Sequence, residues 1–353
     1  MIVDPSVFAD EPAETLLHRE REVESLLRAW KPALEGEVGD EVIVSGSSGV
    51  GKTSLVQHTI DRLESEADIE HAYAQCLGVP SRKLLTSILQ QHPNGALPDA
   101  DRSLAALTEA LQDAVTDPYI VVLDEAEGLP DSGALDRLAD VPGLSTVVVV
   151  HEPNRWRSRL STEAVSERYI DATHVPVPKF GVNELANILR ARAQAGLPPH
   201  VVSRPQLERI ADEVVGVARY GIQALRAAAE LATERGVYEI GDADIENCFQ
   251  RARGRIRRLN LRSLSIHHHI LYALIHAAGA ISGVELHDRY DAVAERAYVD
   301  TTLTPIVRRT RRDRLRKLEE YDLIRRDGTG ATTYRPVDSS IQPPVSVTNF
   351  SEV

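Results

Sequence analysis

The residues best suited to chemistry lie in the stretch GSSGVGKT, at positions 46 to 53. It matches the pattern G-x-x-x-x-G-K-[ST], in which backbone N–H groups surround phosphates, the lysine neutralises their outer charge and the hydroxyl reaches Mg²⁺. We therefore predict that a nucleotide, ATP or ADP, binds here with Mg²⁺. The predicted contacts are Gly46, Ser47, Ser48, Gly49, Val50, Gly51, Lys52, Thr53 and Ser54. The alternative is a glycine and serine turn that binds nothing.

The sequence on either side of this loop supports the prediction. EVIVSG is a short apolar run typical of a buried strand, and TSLVQHTIDRLE has helical spacing. The loop would then lie at a helix N-terminus, where the helix dipole favours a phosphate group.

A second motif, YIVVLDEAEGL, is an apolar strand that ends in Asp124 and Glu125. At the carboxyl end of a strand beside a phosphate loop, one carboxylate can hold Mg²⁺ and the next can orient the water that attacks the γ-phosphate. We predict the first role, shared with Thr53, for Asp124 and the second for Glu125. An acidic strand end that only faces solvent is the alternative.

Alternating strands and helices predict an α/β fold with a parallel sheet. Between the two motifs, IEHAYAQC resembles a strand and residues 81–91 and 103–115 resemble helices, and LSTVVVVHE follows as another buried strand. We predict a nucleotide-binding domain over residues 1–180.

The composition excludes several classes of protein. No apolar run of the 353 residues approaches the length that spans a membrane, and two cysteines, Cys76 and Cys248, make neither a disulfide framework nor a metal site. The N-terminus is acidic, unlike a signal peptide, so we expect a cytoplasmic protein without a membrane partner. The chain has few lysines and 53 acidic residues, a composition that suggests a cytoplasm with concentrated salt. A merely acidic protein is the alternative.

The charge is distributed unevenly along the chain. Residues 1–250 hold 22 basic and 41 acidic side chains, a net charge of −19, whereas residues 251–335 hold 18 basic and 10 acidic ones, a net charge of +8. A basic segment in an acidic chain indicates a polyanion as partner.

Helical periodicity dominates from residue 181 onward. It predicts a helical domain over 181–257, followed over 258–337 by three helices, at 266–278, about 284–297 and about 304–321, and a two-stranded hairpin around an Asp-Gly turn. Three helices and such a wing make a winged helix-turn-helix. The polar, proline-interrupted residues 338–353 are expected to form a flexible tail.

The third helix of this domain has a basic face. Arg308, Arg309, Arg312 and Arg316 lie within roughly 100° of arc, and such a helix enters the major groove in this motif. We predict that these four, with Arg325 and Arg326 of the hairpin, bind double-stranded DNA. An ordinary solvated face is the alternative, and three consecutive histidines at 267–269 lack the spacing of metal ligands.

With these residues in view, the chain resembles the archaeal origin-recognition and cell-division-cycle initiators, AAA+ ATPases related to the eukaryotic origin recognition complex. The likeness covers about residues 16 to 337 and rests on LLHREREVESLLRAWKPALEG, GSSGVGKTSLV, VVLDEAEGL, GVARYGIQALRAAAELA and RRDRLRKLEEYDLI. It implies an AAA+ module with a helical lid, LLHRERE near the adenine, and Arg219 as the lid arginine that reaches the phosphates, called sensor 2.

The chain departs from the family pattern in several places, among them GVAR where the family usually has GDAR. The strand after the acidic motif usually ends in asparagine, called sensor 1, whereas this chain offers His151, Glu152 or the displaced Asn154. An arginine that reaches a neighbouring subunit's nucleotide is hard to place, and Arg168 is the weak candidate.

The resemblance implies an ATP-dependent, DNA-binding replication initiator with slow hydrolysis as a conformational switch. Its expected partners are duplex DNA and a replicative helicase or other initiator paralogues. An ATP-gated transcription regulator of the same family and an AAA+ branch-migration motor remain alternatives.

Overall fold

The computed structural model describes residues 1–9, 16–67, 69–98, 103–160, 162–299, 303–328 and 332–345. The chain forms two compact units, Met1–Glu246 and Asn247–Val353.

A five-stranded parallel sheet forms the centre of the first unit, in the order β2-β3-β4-β1-β5. Its strands are β1 (Val42–Ser45), β2 (Glu70–Gln75), β3 (Tyr119–Asp124), β4 (Leu144–Val150) and β5 (Thr173–Pro176). β1, β3 and β4 are buried along their whole length, as their unbroken apolar runs predict. The predicted α/β fold is confirmed. The sequence did not reveal β5, because this edge strand is short and mostly not buried.

In the part of the chain that the structure describes, the α-helices around this sheet are α1 (Glu20–Leu34), α2 (Lys52–Glu66), α3 (Ser81–Gln91), α4 (Leu104–Ala114), α5 (Gly133–Ala139), α6 (Pro153–Arg157) and α7 (Glu163–Arg168). One apolar core contains Trp30 of α1 and Leu55 of α2, and a second contains Leu85 of α3 and Leu111 of α4. Packing on both faces fixes the strands, and thereby the loops that leave their carboxyl ends.

The first unit continues with helices α8 (Val182–Gly196), α9 (Arg204–Glu213) and α10 (Ala218–Glu234), while α11 (Asp242–Ser263) runs from the first unit into the second. The N-terminal residues pack on this bundle. Phe8 is buried, the side chain of Gln223 donates to its carbonyl oxygen at 2.7 Å, and Arg192 donates to the carbonyl oxygen of Val7 at 2.6 Å.

The second unit contains α12 (Ile266–Ala278), α13 (Gly283–Ala297) and α14 (Arg308–Glu320), with an antiparallel sheet in the order β6-β8-β7. The strands are β6 (Ile281–Ser282), β7 (Ile324–Asp327) and β8 (Thr333–Pro336). The third helix was expected from residue 304 but begins at Arg308, because Pro305 disfavours helical backbone before it and Val307 is extended. The expected hairpin gains β6 as a third strand.

The segment after β8 packs against α12, which the expectation of a flexible tail from residue 338 did not anticipate. Ile341 is buried, and the hydroxyl of Tyr272 donates to its carbonyl oxygen at 3.0 Å. Residues 346–353 lie outside the described residues.

The three consecutive histidines belong to the packing of α12. His268 is fully buried, His267 shares a hydrogen bond of 2.6 Å with the hydroxyl of Tyr298, and His269 lies 2.8 Å from the carbonyl oxygen of Leu261. Within the described part of the chain, no three His, Cys, Asp or Glu side chains are grouped to hold a metal ion.

These histidines should make the second unit sensitive to mild acid. Burial, with the nearby charge of Arg314, lowers the pKa of His267 to about 4 and the pKa of His268 well below its ordinary value. In the unfolded chain a histidine binds a proton below a pKa of roughly 6.5, so the unfolded state binds more protons as the pH falls from that value towards the folded pKa. The free energy of unfolding should therefore fall by about 2 kcal/mol for His267 between about pH 7 and pH 5.

Urea unfolding of the full chain at the two pH values measures this loss. His267→Gln should reduce the pH dependence, whereas His200→Asn, at an exposed position, should leave it unchanged. Equal pH dependence in the parent and His267→Gln would contradict the prediction.

Candidate functional site

The predicted phosphate loop connects β1 to α2, and its glycines are required by the backbone. Gly51, the residue before α2, has φ 94°, in the region that favours glycine. A Cβ atom at Gly46 would lie 2.4 Å from the carbonyl oxygen of Val177, so a side chain cannot be accommodated there. The loop therefore ends at the helix N-terminus, as predicted.

Lys52, the first residue of α2, folds back over the loop. Its Nζ donates to the carbonyl oxygens of Gly46, at 2.8 Å, and Ser47, at 3.1 Å, and its side chain is buried. A cation is thus held against the main chain at the start of the loop. This geometry can bind a negatively charged phosphate chain.

Two oxygen ligands suited to Mg²⁺ meet beside the loop. The Thr53 hydroxyl donates to Oδ2 of Asp124 at 2.8 Å, and the backbone N–H of Glu125 donates to Oδ1 at 2.9 Å. Burial raises the pKa of Asp124, while its hydrogen bonds act in the opposite direction. A hydroxyl and a buried carboxylate are hard oxygen donors, so these residues fit Mg²⁺.

Tyr73 of β2 also donates its hydroxyl to Oδ2 of Asp124, which the sequence did not predict. The adjacent parallel strands β2 and β3 pair Ala74 with Leu123 and Gln75 with Asp124, which brings the tyrosine beside the carboxylate. A tyrosine in a predicted strand is ordinarily a core residue, so only the strand pairing reveals this contact.

Replacing Tyr73 with phenylalanine should weaken nucleotide binding only when Mg²⁺ is present. The hydroxyl orients a carboxylate that would hold the metal, and loss of such a supporting contact typically costs about 10-fold or more in metal affinity. Titration of a fluorescent ADP analogue with Mg²⁺ and with EDTA separates the two cases. Tyr119→Phe, which removes a buried hydroxyl bonded to Ile88 at 3.1 Å, is the matched control. Equal losses with and without Mg²⁺ would refute this role.

Glu125 directly follows β3 with φ 52°, a left-handed conformation that is uncommon for a residue with a side chain. Such strain persists where surrounding structure imposes it, commonly at functional sites. Its side chain is half-buried, and the residue comes directly after Asp124 at the carboxyl edge of the sheet. The predicted acidic pair therefore lies at the same edge as the phosphate loop.

Arg219 brings the helical bundle to this loop. It lies in the first turn of α10, its backbone N–H donates to the carbonyl oxygen of Gly49 at 3.1 Å, and a Cβ atom at Gly49 would lie 3.1 Å from the Cβ of Arg219. The arginine that the resemblance assigned to the phosphates thus adjoins the phosphate loop.

The segment assigned to the adenine also adjoins the loop. The buried guanidinium group of Arg19 donates to the carbonyl oxygens of Val50, at 3.2 Å, and Pro178, at 2.7 Å, and lies 3.6 Å from the ring centre of Phe180. Arg19 thus links the phosphate loop to the segment that follows β5, a role that the sequence did not predict.

His151 follows the last residue of β4, between the strands that lead to the phosphate loop and to the acidic pair. Its ring nitrogen Nδ1 contacts the carboxylate of Glu127. Among the three candidates for the missing asparagine, His151 is the residue at this strand end. Glu127 lies two positions after Glu125 in the chain, so the contact between His151 and Glu127 is close to the predicted water-orienting residue.

The structure contradicts the weak assignment of Arg168 as a residue that reaches another subunit. Its guanidinium group contacts Glu41 at 2.6 Å and donates to the carbonyl oxygens of Leu144, at 2.6 Å, and Ala139, at 3.1 Å. These partners lie before β1, at the start of β4 and at the end of α5. The arginine therefore stabilises the amino edge of the sheet.

In the second unit, α14 divides its arginines between two faces. Arg311 is buried, donates to the carbonyl oxygen of Ile306 at 2.9 Å and lies 4.0 Å from the ring centre of Tyr290. The predicted DNA contacts Arg308, Arg309, Arg312, Arg316, Arg325 and Arg326 are all exposed. The buried arginines anchor the helix, and the exposed ones form its basic face.

Ion pairs divide this basic face further. Arg308 lies 3.0 Å from Asp288, Arg316 lies 3.2 Å from Asp313, and the strand residues Arg325 and Arg326 lie 3.9 and 3.7 Å from carboxylates. Among the described residues, Arg309 and Arg312 have no ion pair. These two are therefore the most available to an external anion.

The fold and the phosphate loop define a nucleotide-binding class, and comparison with known proteins identifies it. Residues 15–307 match the family model of the AAA ATPase domain, so the chain belongs to the AAA ATPases, a family that uses nucleotide and Mg²⁺. Within that class it belongs to the ORC1-type DNA replication proteins. The resemblance drawn from the sequence is confirmed.

Two relatives from Halobacterium salinarum carry this assignment. The chain is 32% identical over 329 residues to ORC1-type DNA replication protein 9, covering 92% of this chain and 90% of the relative. It is 30% identical over 301 residues to ORC1-type DNA replication protein 1, covering 82% and 95%.

Solved structures share the fold. The Aeropyrum pernix ORC1 protein in complex with DNA has a TM-score of 0.69 at 20% identity, covering 95% of this chain and 93% of that one. Cdc6p from Pyrobaculum aerophilum has a TM-score of 0.61 at 20% identity, covering 96% of each chain.

Within the described ranges, no helix is long and apolar enough to cross a membrane.

Proposed function

We propose that this chain is an ATP-dependent replication initiator that recognises duplex origin DNA, with ATP binding and slow hydrolysis as a conformational switch. The observation that carries the proposal is the contact between Gly49 and Arg219 in an ORC1-type protein. Because the phosphate loop and α10 meet there, a nucleotide on the loop can also contact the helical bundle.

Each residue of the site has a distinct role in this proposal. Lys52 and the N–H groups of residues 46–54 bind the phosphates, and Arg219 contacts them from α10. Thr53 and Asp124 would hold Mg²⁺, which when bound neutralises charge on the phosphate oxygens. Glu125 orients the water that attacks the γ-phosphate in line with the departing oxygen.

Slow hydrolysis is proposed from the contact between His151 and Glu127. A neutral amide at this strand end could hydrogen-bond a water and a phosphate oxygen at once, whereas this imidazole is already engaged by a carboxylate. Glu125 and Glu127 also add negative charge at the edge of the sheet that carries the phosphate loop. Both features disfavour rapid turnover.

DNA recognition is assigned to the second unit. We interpret α12, α13, α14 and the three-stranded sheet as a winged helix over 258–337, after an AAA+ domain over 1–180 and a lid over 181–257. In this arrangement α14 enters the major groove, and Arg325 and Arg326 lie on the wing. The relative from Aeropyrum pernix, solved in complex with DNA, supports a DNA partner. A replicative helicase and initiator paralogues are the proposed protein partners.

Genomic occupancy mapping of the tagged protein tests the initiator proposal. Occupancy should concentrate at replication start sites. It should decrease for Arg219→Ala, because this variant should bind ATP without the contact by which the bound nucleotide affects the helical bundle. Arg226→Ala, an arginine of α10 paired with Glu230 at 3.1 Å, is the matched control and should retain the parent pattern. Occupancy confined to promoters away from start sites would instead indicate a transcription regulator.

A further inference from the structure

The second half of α11 is the most basic stretch of the chain outside α14. Residues 247–263 contain six arginines and no aspartate or glutamate, in a protein with a net charge of −13. This stretch lies within the second unit, before α12. The proposed winged helix begins at residue 258, so most of these arginines precede it.

Four of the arginines form one row on the helix. Arg251, Arg255, Arg258 and Arg262 are spaced by four, three and four residues, which places them within about 60° of arc on a helix of 3.6 residues per turn. The row is about 16 Å long, at a rise of 1.5 Å per residue. We call these four residues the α11 arginine row.

Buried residues flank the α11 arginine row. Ala252, Gly254 and Leu261 are buried, whereas Arg258 and Arg262 are exposed and Arg251 and Arg255 are half-buried. The exposed residues from 247 to 263 are all polar: Asn247, Gln250, Arg253, Arg258, Arg262 and Ser263. A protein-binding surface normally has an apolar centre, and these exposed residues offer none.

α11 is fixed to the carboxyl end of α14. Arg257 donates to the carbonyl oxygen of Asp322 at 3.0 Å, and the side chain of Asn260 donates to the carbonyl oxygen of Tyr321 at 3.4 Å. Both acceptors lie in the turn between α14 and β7. The α11 arginine row and the basic face of α14 therefore belong to one packed body.

We propose that the α11 arginine row binds the sugar-phosphate backbone of duplex DNA, as a second contact beside α14. The inference rests on the DNA binding of the proposed function. Guanidinium groups pair with phosphate oxygens through two parallel hydrogen bonds, and a linear row suits the regular spacing of phosphates along one strand. Hydrogen bonds from Ser340 lower the pKa of Asp338, and the positive charges of Arg257 and Arg258 add to this effect, so the row already has a favourable interaction with one carboxylate. The row therefore contributes affinity without sequence preference.

The test uses the full chain and a labelled mixed-sequence duplex across a salt series. Arg258→Gln with Arg262→Gln should reduce the slope of log affinity against log salt by about 1.8, since each neutralised phosphate contributes about 0.9. Affinity should fall about 60-fold near 0.1 M salt and hardly change near 1 M. Arg28→Gln with Arg62→Gln removes the same charge from exposed arginines of α1 and α2 and is the matched control.

The outcomes separate this inference from the proposed function. If the parent protein binds no duplex at low salt, DNA binding itself fails. If the parent binds and the α14 variant Arg309→Gln with Arg312→Gln is impaired, but the α11 variant keeps the parent slope, only the α11 arginine row is excluded. If the α11 variant unfolds at the same midpoint temperature as the parent protein, a reduced salt slope does not result from loss of the fold.

Discussion

Replacing Lys52 with alanine should greatly weaken ATP binding, whereas replacing Glu125 with glutamine should preserve binding and block hydrolysis. Lys52 is the cation enclosed by the phosphate loop, and hydrogen bonds to charged groups contribute roughly 1.5–3 kcal/mol each, so an affinity loss of about 100-fold is expected. Glu125 would contact only the attacking water, and loss of such a group typically slows turnover about 10²–10⁴-fold. Equilibrium binding of a fluorescent ATP analogue and single-turnover hydrolysis measure the two effects.

Matched variants distinguish these roles from a general loss of charge. Lys83→Ala and Glu109→Gln change exposed residues of α3 and α4 and should leave binding and hydrolysis unchanged. Because Lys52 also holds two carbonyl oxygens of the loop, thermal unfolding should accompany the measurement. If folded Lys52→Ala binds ATP as tightly as the parent, the phosphate loop is wrongly assigned.

Most of the first unit could be predicted because its signals are local. β1, β3 and β4 are continuous apolar runs, and the glycines and lysine of the loop lie within eight consecutive residues. The acidic pair is likewise fixed by its position at a strand end. Each of these features depends on neighbours in the chain.

The contacts that the sequence did not reveal depend on residues distant in the chain. Tyr73 reaches Asp124 across 51 positions, Arg19 reaches Pro178 across 159, and Arg168 reaches Glu41 across 127. The sequence around Arg168 does not show whether this arginine binds Glu41 and two carbonyl oxygens at the sheet edge, as it does, or faces a partner subunit. Helical spacing likewise predicted the basic face of α14 but not the ion pairs that occupy Arg308 and Arg316.

Alanine at Arg309 or Arg312 should reduce DNA binding more than alanine at Arg308 or Arg316. The first two have no ion pair among the described residues, whereas Arg308 and Arg316 already lie within 3.2 Å of an aspartate. An arginine that contacts a phosphate should reduce the salt slope by about one unit, and one that reads a base edge should lower discrimination between cognate and scrambled duplexes by about 1–3 kcal/mol. Titration of both duplexes across a salt series, after occupancy mapping has supplied a site, measures each quantity.

Salt also determines how an acidic protein can retain DNA. Four or five phosphate contacts would lose roughly 3.6 to 4.5 decades of affinity between about 0.1 and 1 M salt, so little non-specific attraction would remain at about 1 M salt. Selective binding there must come from base edges and DNA shape, which salt weakens much less. The full chain with ATP should therefore keep its preference for the cognate duplex near molar salt, while binding to the scrambled duplex disappears. If the chain binds neither duplex even at low salt, the arginines of α14 form only a solvated surface, and the proposal of an origin-binding initiator loses its independent support.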